Sequence, residues 1–173
     1  MYKLTLIPIL ILDNSNLSWL VFGSFYNGIK LVQLYKSLLS MQNFKKWFTV
    51  ASRKRDFILP DSIAGDAAIE APVIYKHDNL YYLFVSFNYC CGGKKSAYKI
   101  MIGRSEQVNS LYVHKDGVAL NMWGGSLLLK GDAKCYGIRH NALANFNGID
   151  YLVRHAYYAA DIGKSKLRIN KLD

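Results

Sequence analysis

The sequence predicts an all-β fold, a β-propeller fragment of about three blades. One observation behind this is the aromatic content. It is dominated by 13 Tyr residues among 173, set beside Val, Ile and Leu, a usage that favours strands over helices. The other is a repeat. Ser18-Trp19-Leu20-Val21-Phe22-Gly23-Ser24-Phe25, Tyr81-Tyr82-Leu83-Phe84-Val85-Ser86-Phe87 and Asp150-Tyr151-Leu152-Val153-Arg154-His155-Ala156-Tyr157 overlay when Trp19, Tyr82 and Tyr151 are aligned, at offsets of 63 and 69 residues.

Each repeated segment is preceded by an apolar run and a polar turn. Ile7 to Leu12 precedes Asp13-Asn14-Ser15-Asn16, Pro72 to Tyr75 precedes His77-Asp78-Asn79, and Ile138 to Phe146 precedes Asn147-Gly148. Polar turns between apolar runs are hairpin signals. A further strand follows each pair, at Ile29 to Leu34, Tyr98 to Gly103 and Leu167 to Leu172. The unit is therefore a β-meander, and meanders repeated in this way read as propeller blades. The expected blades cover approximately residues 1–65, 66–122 and 123–173 of a single domain. Between the first two lies an excursion with an outer strand at Trp47 to Ala51 and a short helix around Tyr35 to Phe44. Propellers close with about four to eight blades, so three units are expected to belong to a longer chain or to assemble with something else.

Composition narrows the function classes. A chain that is 51% hydrophobic and 14% aromatic is too apolar for disorder. The net charge of +10 raises nucleic acid as a partner, but the basic residues fall in short groups: Lys45-Lys46, Arg53-Lys54-Arg55, Lys94-Lys95, and Lys164, Lys166 and Arg168. No stripe or recognition helix collects them, which argues against nucleic acid and suits a soluble basic surface or an anionic polysaccharide. Cys90, Cys91 and Cys135 leave an odd thiol whatever pairs, and no CxxC metal spacing is present. The apolar run Leu4 to Leu12 lacks a small-residue cleavage pattern, so no signal peptide is expected. It is also far too short to span a membrane, and reads as a buried strand.

One carboxylate stands out. Ala67-Ala68-Ile69-Glu70-Ala71-Pro72 places Glu70 among small apolar residues at the head of a strand, where Glu is seldom found. It is either a strand-edge Glu paired with a Lys or Arg, or a general acid whose proton is retained in a partly desolvated cleft.

At this point the motifs become recognisable. Ala68-Ile69-Glu70-Ala71-Pro72, Leu83-Phe84-Val85-Ser86-Phe87-Asn88-Tyr89-Cys90-Cys91 and Tyr98-Lys99-Ile100-Met101-Ile102-Gly103-Arg104-Ser105 resemble glycoside hydrolase family 43, nearest its endo-1,5-α-L-arabinanases. Leu20 to Phe25 and Gly28 to Leu31 fit a middle blade of that family. Gly124 to Leu129, His140-Asn141 and Asp150 to Tyr157 fit its last blade. The resemblance covers nearly the whole chain outside roughly residues 35–50. It implies a five-bladed propeller, of which this chain would supply the third, fourth and fifth blades. It also implies an extracellular or secreted glycosidase that hydrolyses α-1,5-arabinan with inversion. Inversion requires two carboxyl groups roughly 6.5–9.5 Å apart, one as acid and one as base.

By the same resemblance Glu70 is the general acid, protonating the leaving oxygen. Ser24, Phe25, Asn88 and Arg104 are expected to bind substrate; each is also readable as an ordinary strand, core, turn or surface residue. His140 matches a channel histidine that binds a metal ion, implying one calcium-like ion as cofactor, although a lone His is a weak ligand signal. His155 reads as a channel or packed core residue. The family's base lies in a first blade that has no counterpart here, and Ile7, before Pro8, stands where the family's tuning Asp is expected. Asp13, at the far end of that strand, is a poor substitute. Without the base an inverting reaction loses about 10²–10⁴-fold in rate, so an impaired hydrolase is expected, with a non-catalytic carbohydrate-binding remnant as the alternative.

Overall fold

The computed structural model describes residues 8–24, 27–35, 40, 46–54, 68–88 and 93–172. Eleven strands, counted among these residues, form three antiparallel sheets. The first sheet contains β1 (Ile9–Leu12), β2 (Ser18–Ser24), β3 (Gly28–Gln33) and β4 (Phe48–Ala51), paired in that order. The second contains β5 (Ile69–His77), β6 (Leu80–Phe87), β7 (Lys99–Ser105) and β8 (Ser126–Lys130). The third has β9 (Cys135–Phe146), β10 (Ile149–Tyr158) and β11 (Lys164–Lys171). The repeated segments of the sequence are β2, β6 and β10, each the second strand of its meander.

One boundary differs from expectation. Ser126–Lys130 pairs with β7, Met101 opposite Leu127 and Lys99 opposite Lys130. It therefore closes the second sheet rather than opening the third, and the second blade runs on past residue 122. An apolar run followed by a turn reads the same for the last strand of one meander as for the first of the next. The short helix expected around Tyr35 to Phe44 falls largely on residues 36–39 and 41–45, outside the described residues, as do Phe25, Cys90 and Cys91. Cys135 is a free thiol.

Alternation along the strands of the second sheet produces two cores. Ile69, Ile74, Leu83, Val85, Phe87 and Met101 pack with Trp19, Val21, Ile29 and Leu31 of the first sheet. Val73, Phe84 and Ile100, on the opposite face, pack with Ile138, Leu152 and Ala156 of the third. The second sheet is thus buried on both faces, which explains the nearly unbroken burial of β5 and β6. Among the described residues no helix is long and apolar enough to cross a membrane.

Polar groups fix the turns and the joint between sheets. Asp13 is fully engaged: Oδ1 accepts from the backbone N–H of Ser15 and Leu17 at 2.8 and 2.9 Å, and Oδ2 from Trp19 Nε1 at 2.9 Å. Asp150, buried at the start of β10, accepts from the Tyr75 hydroxyl at 2.5 Å and Asn145 Nδ2 at 2.6 Å. His77 Nδ1 lies 2.7 Å from its other oxygen. Donation by Tyr75, then by Asn145, holds the Asp150 carboxyl below the usual carboxylate range. Burial, followed by the bond to Asp150, pushes the Tyr75 phenol up to about 12.

The two shifts have opposite pH signatures. Asp150 has a depressed folded-state pKa, so its stabilisation is present above pH about 4, the unfolded value, and disappears as pH falls through the folded value. Tyr75 has a raised one, so its contribution is complete below pH about 10 and disappears as pH rises towards about 12. Urea unfolding of Asp150→Asn should lose the acid-side slope, and Tyr75→Phe should flatten the alkaline side, each relative to the parent chain.

Candidate active site

Glu70 is the second residue of β5 and is 2% exposed. It stands directly opposite Ser86, which in turn pairs with Ile100. The three side chains share the face turned towards the third sheet. Burying a carboxyl group there requires a hydrogen-bond partner, and Tyr98, 1% exposed just before β7, donates its hydroxyl to Glu70 Oε1. The Ser86 hydroxyl is also buried on this face and has no hydrogen-bond partner among the described residues.

The strand is not regular at this point. The register passes from Glu70 opposite Ser86 to Val73 opposite Phe84, so β5 carries one residue more than β6. This is a β-bulge, a feature that re-aims side chains and is common beside active sites. Ala71 takes it up with φ of 51°, a left-handed conformation costing an L-residue roughly 1–2 kcal/mol. The extra residue lets Glu70 and Val73, three apart, lie on one face. Pro72, which has no N–H to donate, is tolerated at such an interruption.

The neighbouring inner strand has a matching irregularity. In β9, Asn141 pairs with Arg154 and Arg139 with His155, so His140 is the bulged residue of the ladder, with φ of 43°. The two bulges touch, for Asn141 Nδ2 donates to the Ala71 carbonyl at 3.4 Å. His140 is thereby brought near the Glu70 end of β5. Among the described residues no group of three or more His, Cys, Asp or Glu side chains comes together as a metal site. One imidazole would supply a single ligand of a calcium shell that otherwise consists of oxygens, waters included.

Arg53 closes the entry to β5. Its Nη1 donates to Asn88 Oδ1 at 2.6 Å and to the Ala68 carbonyl at 3.4 Å, and its guanidinium lies 4.6 Å from the centre of the Phe87 ring. Asn88, at φ of 77°, donates its backbone N–H to the same Ala68 carbonyl at 3.0 Å. Asn88 is therefore within the Glu70 neighbourhood, two residues beyond Ser86, and its side-chain oxygen is occupied by Arg53.

The remaining expected residues are less closely gathered. Ser24 ends β2, opposite Gly28. Arg104 does not reach Glu70: it pairs with Tyr82, which pairs with Tyr75, whereas Glu70 lies level with Ser86 and Ile100. Four residues of β7 separate Arg104 from Ile100, roughly 13 Å along the strand. A Glu70–Arg104 ion pair is thereby excluded. His155 is exposed on β10 and not a packed core residue. Tyr98, Arg53 and Asn141 were not singled out in the sequence. Tyr98 reads as a strand aromatic and Arg53 as one member of a surface basic triplet, although Asn141 does directly follow His140.

Meander sheets stacked through both faces of the middle one, with a buried carboxyl group on an irregular inner strand, define a partial β-propeller carrying a candidate acid. Comparison with known proteins identifies the family. The chain belongs to glycosyl hydrolases family 43, whose model matches residues 5–171. It is 42% identical over 165 residues to the extracellular exo-α-(1→5)-L-arabinofuranosidase of Cellvibrio japonicus, covering 95% of this chain and 48% of that protein. It is 38% identical over 166 residues to the extracellular endo-α-(1→5)-L-arabinanase 1 of Bacillus subtilis, covering 96% and 47%. Among solved structures it resembles the Cellvibrio cellulosa α-L-arabinanase complexed with arabinohexaose, at a TM-score of 0.89 and 42% identity, over 96% of this chain and 53% of that one. The chain thus spans about half the length of the curated relatives it matches.

Removing the donor to Glu70 tests the geometry without reference to activity. Tyr98→Phe should lower the unfolding free energy by about 1–3 kcal/mol, because a buried acceptor loses its partner. The urea midpoint should fall at unchanged m-value. A midpoint matching the parent chain would show that the Tyr98–Glu70 bond does not stabilise the fold.

Proposed function

We propose that this chain carries the acid half of an inverting arabinanase acting outside the cell on α-1,5-linked arabinan. The observation that carries the reading is the buried Glu70 carboxyl group, aimed by the bulge at Ala71 and held by Tyr98. Tyr98, donating to Oε1, fixes the orientation of the carboxyl group from which the proton would be delivered. Glu70 would give that proton to the glycosidic oxygen as the bond to the anomeric carbon breaks, while a base removes a proton from the attacking water. Arabinan as substrate and action outside the cell are supported by what the relatives are named for. The arginine-held turn at Asn88 and the half-buried His140 are proposed to shape the rim of the cleft.

The base must stand roughly 6.5–9.5 Å from Glu70. Asp150 meets His77 at the other end of β5, seven residues from Glu70 and roughly 20 Å along the strand. Asp13 is spent on its own turn. The proposal therefore takes the base from outside the described residues, and this same placement of the acidic groups favours a second reading, a carbohydrate-binding domain without turnover.

Hydrolysis of linear α-1,5-arabinan and of an aryl arabinofuranoside distinguishes the two. The chain should be assayed alone and extended by any in-frame sequence encoded upstream of Met1. Activity is expected in the extended protein, with Glu70→Gln reducing turnover about 10²–10⁴-fold and leaving circular dichroism unchanged. No hydrolysis of either substrate by an extended protein with intact Glu70 would sink the enzyme reading. Calorimetric binding of arabinan without turnover would then establish the second.

A further inference from the structure

Arg104, which lies too far from Glu70 to serve it, borders a separate hollow of about 210 Å³ on the second sheet. Tyr82, His114, Lys115 and Ser126 also line it. This volume is below the roughly 300 Å³ at which sites for drug-sized ligands begin, so the hollow suits one small group.

The charged side chains among the lining residues are cationic, Arg104 and Lys115, and no carboxylate is among them. Arg104 is exposed, and its backbone is satisfied by Val113 through reciprocal bonds of 2.9 Å. Its guanidinium makes no hydrogen bond, ion pair or ring contact among the described residues, which leaves five N–H groups for a ligand. Lys115 contributes an equally uncommitted ammonium. His114 Nδ1 accepts the backbone N–H of Asp116 at 2.8 Å, so the neutral ring carries its proton on Nε2 and donates from there. Ser126 Oγ accepts the backbone N–H of Lys115 at 3.0 Å and keeps its O–H to donate to a ligand. Asp116 is 73% exposed and 3.9 Å from His114 Nδ1, and it does not line the hollow. A second hollow, bordered by Lys99 and Lys130, is also lined by Asp132 and lacks this one-sided character.

Two cationic side chains with no carboxylate among the lining residues favour an anionic ligand, and an arginine fork matches the two oxygens of a carboxylate or a phosphate. We propose that this hollow is an oxyanion site, taking the carboxylate of an acidic sugar or a free phosphate at a point distinct from the Glu70 cleft. An acidic sugar would place its ring against Tyr82, directly across from Arg104 in the sheet. The site would give the basic chain, with its net charge of +10, a specific hold on anionic carbohydrate rather than a diffuse attraction.

Isothermal titration of the full chain with sodium D-glucuronate, inorganic phosphate and D-glucose tests this. Binding of at least one anion and none of glucose is expected, weakening as salt is added. Arg104→Gln and Lys115→Gln should each weaken it, the arginine change by about tenfold, the scale of one charge-assisted hydrogen bond. Glucuronate without phosphate would assign the site to an acidic sugar, and the reverse to the inorganic ion. Neither anion binding, glucose binding equally well, or both variants matching the parent would overturn the proposal. Glu70→Gln should leave the anion affinity intact, so loss of the arabinanase reading would not carry this one with it.

Discussion

The bulge at Ala71 is the constraint on which the rest of the site depends. In a regular strand, Glu70 and Val73 would point to opposite faces of the second sheet, because side chains alternate with a period of two. The inserted residue lets both face the third sheet, one as a buried acid and the other as core. The left-handed backbone at Ala71 is unfavourable on its own, by about 1–2 kcal/mol. It persists because Pro72 needs no ladder partner and because the freed Ala71 carbonyl receives Asn141 from the next sheet. Burial of Glu70 is likewise helped by Tyr98, which donates to it.

The local irregularity propagates to the neighbouring sheet. His140 occupies a left-handed bulge of its own on β9, and the bond from Asn141 to Ala71 joins the two interruptions. Two inner strands that lose regular pairing where they meet leave backbone groups and side chains directed away from their own ladders. On the other side, Arg53 ties the Ala68 carbonyl to Asn88 and rests on Phe87. The Glu70 end of β5 is therefore held from two directions, while its His77 end is held separately through Asp150.

What was legible in the sequence follows from these same physical causes. The meanders could be read because alternation and polar turns are local properties: Asn147-Gly148 lies between β9 and β10 as a hairpin signal should. Pairing partners are not local, so Ser126–Lys130 was placed with the wrong blade. Glu70 was visible because a carboxylate among Ile and Ala is anomalous in any strand. The bulge beside it was not, since Ala at a positive φ carries no compositional mark, whereas a glycine there would have drawn attention. Tyr98 and Arg53 were hidden for another reason. An aromatic in a strand and an arginine in a basic triplet are both ordinary, and only the sheet order brings them to Glu70 and Asn88.

In the proposed reaction, the acid and the base differ in where their environment is made. Within its own sheet Glu70 is positioned by Ser86 opposite it on β6, by Tyr98 leading into β7, and by the bulge within β5 itself. The third sheet adds Asn141. An acid assembled this way is complete once the second and third sheets have folded against each other. A base cannot be local in the same sense, because a water must fit between it and the glycosidic bond. That spacing puts the base across the cleft, on an element that shares no strand pairing with β5. On the proposed reading, the surroundings of Glu70 come from the second and third sheets, whereas the base would come from outside the described residues.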